Sequence, residues 1–329
     1  MSWGVALRNA VGLGLGGIPS VLNAPPYANL ALNFLSGALD PRITFTRASN
    51  ATLIGSNGLI QSAAVDAPRF DYNPTTLAPL GLLIEEQRTN LLTYSEQFDN
   101  AAWVFGTSAA ISGDTTTAPD GTTTAETITF SGAANGVFQS IACSSSTAYT
   151  FSLYVKLGTM AAGDYKIAIY DNTNAVFIAT DIVPTQTPSS TAWTRVTYTF
   201  TTPATCVSVR AYCFRNSSSV NTTVNVWGAQ LEAGIFQTSY IPTVDSQVTR
   251  AADSAVMTGT NFSSWFNPVA GTMFAEAQQP VLFALSRAAA SLNNGTNGQR
   301  MTLFRRLSGN TISVYIAPGV GTVSSGIAA

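Results

Sequence analysis

Histidine is absent from this chain of 329 residues. That absence removes Ser-His-Asp and Cys-His nucleophilic catalysis, imidazole acid–base chemistry and nearly all zinc sites. Charge is scarce as well: Asp, Glu, Lys and Arg make up 10% of the residues, against about a quarter in an ordinary globular chain. With 17 acidic and 15 basic residues the net charge is −2, so there is no basic field to hold nucleic acid and no acidic tail. Cysteine is limited to Cys143, Cys206 and Cys213, and an odd count argues against a disulfide framework. Cys206 and Cys213 share one extended segment and stand roughly 23 Å apart at strand rise, too far to bridge each other. Reduced, buried thiols are expected, which fits synthesis in a reducing cytoplasm.

Long apolar runs are missing too. No uninterrupted run reaches the ~18 residues that would mark a membrane span. The opening "MSWGVALRNAVGLGLGG" is apolar, but it has no positive charge ahead of the apolar stretch and is interrupted by Arg8. Gly4, Gly12, Gly14, Gly16 and Gly17 weaken any helix there. Neither a signal peptide nor a membrane segment is expected. The segment would pack against a partner or supply a strand to the chain's own core.

Helical periodicity is nearly absent from about residue 99 to 245. Short alternating runs separated by Ser/Thr/Gly/Asn clusters take its place. In "YTFSLYVKLG" (149–158), Phe151, Leu153, Val155 and Leu157 share one face, and Ser152, Tyr154 and Lys156 the other. "YKIAIYDNTNAVFIATDI" (165–182) reads as a hairpin turning at 172–174. In "CVSVRAYCFR" (206–215), Val207, Val209, Ala211 and Cys213 oppose Ser208, Arg210, Tyr212 and Phe214. "VNVWGAQLE" (224–232) is the last strand of the series. Strands at near-regular spacing without amphipathic helices indicate an all-β protein built on a jelly-roll β-sandwich.

The expected organisation is an apolar attachment segment at 1–40 and an irregular neck at 41–98, with a hairpin turn at "IGSNGLI" (54–60). The jelly roll follows at 99–245, then a polar connector at 246–253. A second β module occupies 254–329, with strands at 271–278, 300–308 and 311–319; it is either unusually small, completed by a neighbouring chain, or a truncated version of a larger one. That last piece is short for a complete sandwich.

Three strings add a resemblance: "GLLIEEQRTNLLTYSEQFDNAAW" (81–103), "VWGAQLEAGIFQTSYIPT" (226–243) and "VTRAAD" (248–253). They resemble bacteriophage head-spike, head-fibre and tail-fibre proteins. In those, a jelly roll similar to carbohydrate-binding modules lies between the first two strings, and a concanavalin- or laminin-G-like sandwich often follows the third. The resemblance implies a non-enzymatic structural or adhesive role in a virion, commonly as a homotrimer, made in the bacterial host cytoplasm. The apolar N-terminal segment would then hold capsid or tail proteins. No nucleic acid or membrane partner is implied.

Candidate site residues follow from the outward strand faces. Tyr154, Lys156, Tyr170, Arg210 and Tyr212 are taken to converge on one sheet face and bind host surface polysaccharide, since aromatic rings stack on sugars and cations bond their hydroxyls or acid groups. The competing reading is an ordinary outer face or a subunit contact. Glu232 reads either as a catalytic acid or calcium ligand, or as a strand-end carboxylate bonding the next turn. No catalytic residue is assigned. Asp171, Asn172 and Asn174 form an oxygen-rich loop that would suit a structural calcium ion, but local turn chemistry accounts for it, and no metal or other cofactor is expected. Arg69 with Asp71, and Arg88 with Glu85 or Glu86, read as charge pairs fixing irregular loops or bridging subunits. A stand-alone carbohydrate-binding protein and a glycan depolymerase are the rival functions.

Overall fold

The computed structural model describes residues 4–7, 29–132, 136–214, 222–267, 287–293, 300–305 and 312–317. Most of the apolar 1–40 segment and the strand expected at 271–278 lie outside the described residues. No helix among the described residues is long and apolar enough to cross a membrane.

The chain forms two compact units, one of residues 87–250 and one of residues 1–86 together with 251–329. In the first, the described strands make two five-stranded sheets. One runs Thr194–Thr201, Ala148–Leu157, Thr222–Ala233, Ala125–Phe130, Ala109–Thr116, and the other Val176–Ile182, Ile167–Asp171, Ser208–Phe214, Val137–Ala142, Val104–Phe105. The pairings within both are antiparallel. From Ala125 onward the chain passes repeatedly from one sheet to the other, and the result is a jelly-roll sandwich. The alternation read in the sequence sets its core: Phe151, Leu153, Val155 and Leu157 from one sheet meet Ile167, Ile169, Val209, Ala211 and Cys213 from the other. Burying each such side chain contributes about 1.5–3 kcal/mol, so a one-residue slip of register would expose a whole row.

Glu126 is an exception on the inner side of the Ala125–Phe130 strand, 2% exposed. Burial, and then the charge of Asp99, push its carboxyl up from 4.5 to about 8. The folded state therefore binds this proton more tightly than the unfolded chain does. Its stability is highest below pH 4.5 as far as this group is concerned, and falls as pH rises from there to 8. Glu126→Gln is expected to flatten this fall, read as the difference in melting temperature between pH 5 and pH 9. An unchanged difference would show that the group is not responsible.

The second unit departs from the expected neck and C-terminal module. Its six-stranded antiparallel sheet runs Thr44–Thr46, Ser254–Met257, Gly4–Leu7, Arg287–Asn293, Arg300–Arg305, Ile312–Ala317. Strands from the two ends of the chain thus alternate in one sheet. Phe34, Ile43, Phe45 and Leu82 share a core with Ala255, Met257, Phe262 and Leu292. A C-terminal segment too short to bury its own apolar faces is completed by the N-terminal part of the same chain. The "IGSNGLI" hairpin is present, pairing Ala51–Ile54 with Ile60–Ala63. The polar connector proves partly structural, because Val248–Arg250 pairs with Arg88–Asn90.

Charge is spent in this unit on a buried cluster. Arg47 and Asp253 form an ion pair with both side chains fully buried, and Arg69 bridges Asp253 and Glu85. The backbone N–H of Glu85 donates to Asp253 Oδ2 at 2.8 Å. Arg47 also donates to the carbonyls of Ser49 and Ala67. Asp71, expected beside Arg69, accepts from the N–H of Ile54; burial raises its carboxyl to about 6, and the nearby charge of Arg69 works against that rise.

Candidate glycan-binding face

The two sheets of the sandwich separate the five residues expected on one face. Tyr154 and Lys156 stand on the Ala148–Leu157 strand of one sheet, and Tyr170, Arg210 and Tyr212 on the other. Alternation places a side chain inside or outside, and both groups do point outward. They leave the sandwich on opposite sides because their strands belong to different sheets.

On the Tyr154 side the chain covers its own sheet. The strand Thr222–Ala233 shifts register against Ala148–Leu157 between Ser152 and Tyr154, and Gly228 there takes φ +64. A Cβ at Gly228 would lie 3.3 Å from the rings of Tyr154 and Tyr240, so glycine serves both the left-handed backbone and the close ring approach. Beyond Gly234 the segment 235–243 folds back over the outer face. Trp227 packs 4.7 Å from Tyr240 and 5.7 Å from Tyr154, and the Arg195 guanidinium lies over Tyr154 at 5.5 Å. Arg195 also donates to the Thr238 carbonyl and to Ser152 Oγ. Glu232, fully buried, accepts from Gln230 Nε2, the Thr238 N–H and Thr238 Oγ1 at 2.7–2.9 Å. Burial raises its carboxyl, and these bonds oppose the rise. It is the turn-bonding carboxylate of the two readings weighed for it.

The same seam shows why the strings occur together. Asn90, fully buried, donates to the carbonyls of Ala229 and Ile241 and accepts from the N–H groups of Leu92 and Leu231. Tyr240 bonds Ser95 and donates to Glu96. The "RTN" of the first string also pairs with the "VTR" of the third.

On the opposite sheet, register builds an aromatic grid. Ser140 faces Arg210, Arg210 faces Tyr170, and Tyr170 faces Phe177; in the next row Phe138 faces Tyr212. The rings form a continuous patch, with Phe138–Tyr212 at 4.8 Å, Tyr170–Phe177 at 5.0 Å and Phe177–Tyr212 at 6.2 Å. Arg210 lies over two of them, 4.8 Å from Phe138 and 5.2 Å from Tyr170. Its Nε has no hydrogen-bond partner among the described residues. Phe177 is 38% exposed, while Tyr212 is nearly buried between its neighbours. A planar cation fixed by rings, beside an exposed ring, can bond the hydroxyl or carboxyl groups of a sugar while the ring takes its apolar face.

Lys156 is half-buried and bridges, backbone to backbone, to Ser189; it stands apart from the grid. Phe138 and Phe177 belong to the grid and escaped the sequence reading. A hairpin turning at 172–174 would set Val176 across from Tyr170; the turn takes in Ala175 as well, and this brings Phe177 opposite Tyr170. In the loop after Tyr170, Asp171 accepts from the N–H groups of Thr173 and Asn174 and from Asn174 Nδ2. Burial works against its charge, and the bonds from Asn174 hold the carboxyl below its ordinary value. Among the described residues no group of three or more Cys, Asp or Glu side chains is placed to hold a metal ion.

Residues 90–219, within the jelly-roll sandwich, match the family model of a carbohydrate-binding domain. No curated protein matches the chain. Among solved structures, it is similar to the CBM22-1 xylan-binding domain of Paenibacillus barcinonensis Xyn10C, at 14% identity and TM-score 0.35, over 45% of this chain and 96% of that one. It is similar to the N-terminal cellulose-binding domain of Cellulomonas fimi β-1,4-glucanase C, at 19% identity and TM-score 0.27, over 47% and 98% of the two chains. A third similar structure is the enzymatically active domain of bacteriophage CBA120 tailspike protein 4, at 14% identity and TM-score 0.33, over 44% and 21%.

Proposed function

We propose that this chain is a structural component of a bacteriophage virion, a head or tail fibre or spike, that adheres to host surface glycans through the grid of Phe138, Tyr170, Phe177, Tyr212 and Arg210. The carrying observation is that patch of outward rings around Arg210, whose Nε has no hydrogen-bond partner among the described residues, in a segment that matches a carbohydrate-binding domain. The resemblance of the three strings to phage fibre and spike proteins supports the virion role. In this reading the protein acts by binding and not by catalysis, needs no cofactor, and assembles as a homotrimer on other virion proteins through its N-terminal segment. Several weak sites on one particle would then act together, because a second contact made by a tethered copy is intramolecular.

Affinity electrophoresis through gels containing host polysaccharide tests the adhesive part. The wild-type chain is expected to be retarded. Tyr170→Ala combined with Phe177→Ala should weaken binding by about 1–3 kcal/mol, roughly five- to 150-fold, if each ring contributes an ordinary aromatic contact. Wild-type migration unaffected by any host polysaccharide would remove the glycan reading. Light scattering tests the trimer, and labelled antibody on intact particles tests the virion location.

A further inference from the structure

We propose that Cys143 and Cys206 are a latent disulfide pair, and that the open pocket in front of Cys143 admits a small disulfide oxidant. The spacing argument that sets Cys206 apart from Cys213 does not reach Cys143, which comes from another strand. Cys143 follows the strand Val137–Ala142, and Cys206 precedes the strand Ser208–Phe214, which pairs with it. The Cys143 N–H donates to the Val207 carbonyl at 2.9 Å, so the two backbones are already tied at this point. The sulfurs lie 3.8 Å apart, and a bond requires about 2.05 Å. The sulfurs must therefore approach by about 1.8 Å, which rotation about χ1 would have to supply.

Access is one-sided. Cys143 is half-buried, while Cys206 and Cys213 are buried. Cys143 lines a cavity of about 520 Å³ together with Gln87, Thr89, Leu91, Ser144 and Tyr149, room enough for part of a tripeptide disulfide. Cys213 lies in the sandwich core. The odd count thus resolves into one pair and one inert thiol.

The chemistry balances with oxidised glutathione, or any small disulfide, as oxidant. The Cys143 thiolate attacks one glutathione sulfur and expels a glutathione thiolate, giving a mixed disulfide on Cys143. The Cys206 thiolate then attacks the Cys143 sulfur and expels the second glutathione. Two protein thiols are oxidised and one glutathione disulfide is reduced to two thiols; the two protons given up by Cys143 and Cys206 are taken up by the two glutathione thiolates, with no net release. Burial raises the Cys143 thiol, and burial followed by Asp171 and Cys143 pushes Cys206 up to about 12. Both are therefore protonated in a reducing cytoplasm at neutral pH. Exchange is slow there and quickens as pH rises.

The full chain, purified reduced, is incubated with oxidised glutathione under native conditions and followed by thiol titration, intact mass and peptide mapping. The expected product has one free thiol, a mass lower by two hydrogens, and a cross-link between the peptides carrying Cys143 and Cys206. Its melting temperature should rise by more than about 5 °C, because the link closes a loop of some sixty residues. Cys206→Ser should stop at a glutathione adduct on Cys143, Cys143→Ser should take up none, and Cys213→Ser should behave as the wild type. Three titratable thiols remaining after native incubation, a stable glutathione adduct on the wild type, or cross-linking only in denaturant would each overturn the proposal.

Discussion

Asp253→Ala is expected to lower folding stability by about 3–5 kcal/mol, the usual consequence of removing one partner from a buried ion pair. The side chains of Asp253, Arg47 and Arg69 are fully buried. Asp253 is a carboxylate that both arginines share, and it also receives the Glu85 N–H. Its loss leaves the buried Arg47 side chain with carbonyl partners, and Arg69 with Glu85 and the Thr52 carbonyl. Asp253→Asn keeps the shape and part of the bonding, and should fall between wild type and alanine. Urea unfolding of the three proteins gives the comparison, read from midpoints at a common slope. A loss below about 1 kcal/mol would mean that the arginines find other partners.

Trp227→Ala should have a comparable effect, about 3–5 kcal/mol, for a different reason. Trp227 is 1% exposed, and its removal opens a large cavity between Tyr154 and Tyr240. Its Nε1–H bond to Thr124 Oγ1 is lost with it. Glycan binding at temperatures where the variant stays folded should be unchanged, since the aromatic grid lies on the other sheet. A selective loss of binding in a fully stable Trp227→Ala protein would move the site to the Tyr154 side and displace the grid of Tyr170 and Arg210.

The contrast between Tyr154 and Tyr170 marks how far the sequence was legible. Both sit at outward positions of alternating strands, and both do point out of the core. Period-2 alternation carries in-or-out information and nothing about which sheet a strand joins. That depends on pairings between residues far apart in sequence, such as Tyr154 with Trp227 and Tyr170 with Arg210. Phe138 went unnoticed for a related reason. Its strand, Val137–Ala142, carries Gln139 and Ser140 among its apolar residues, so neither face stands out, and its role appears only when Tyr212 is laid beside it. The jelly roll itself was legible because Phe151, Leu153, Val155 and Leu157 define a face without any partner being known. The sheet of the other unit was not, because Thr44–Thr46 and Ser254–Met257 are neighbours only through the fold.

The pairing of Arg88–Asn90 with Val248–Arg250 brings the sandwich's entry and exit side by side. A module whose two ends leave through one doorway can be cut out, replaced or refitted as a cartridge while the chain on either side keeps its path. Under the proposed adhesive function, such an arrangement would let recognition diversify between residues 87 and 250 while the strands before and after it in sequence, from Thr44 to Leu82 and from Ser254 onward, stay as they are.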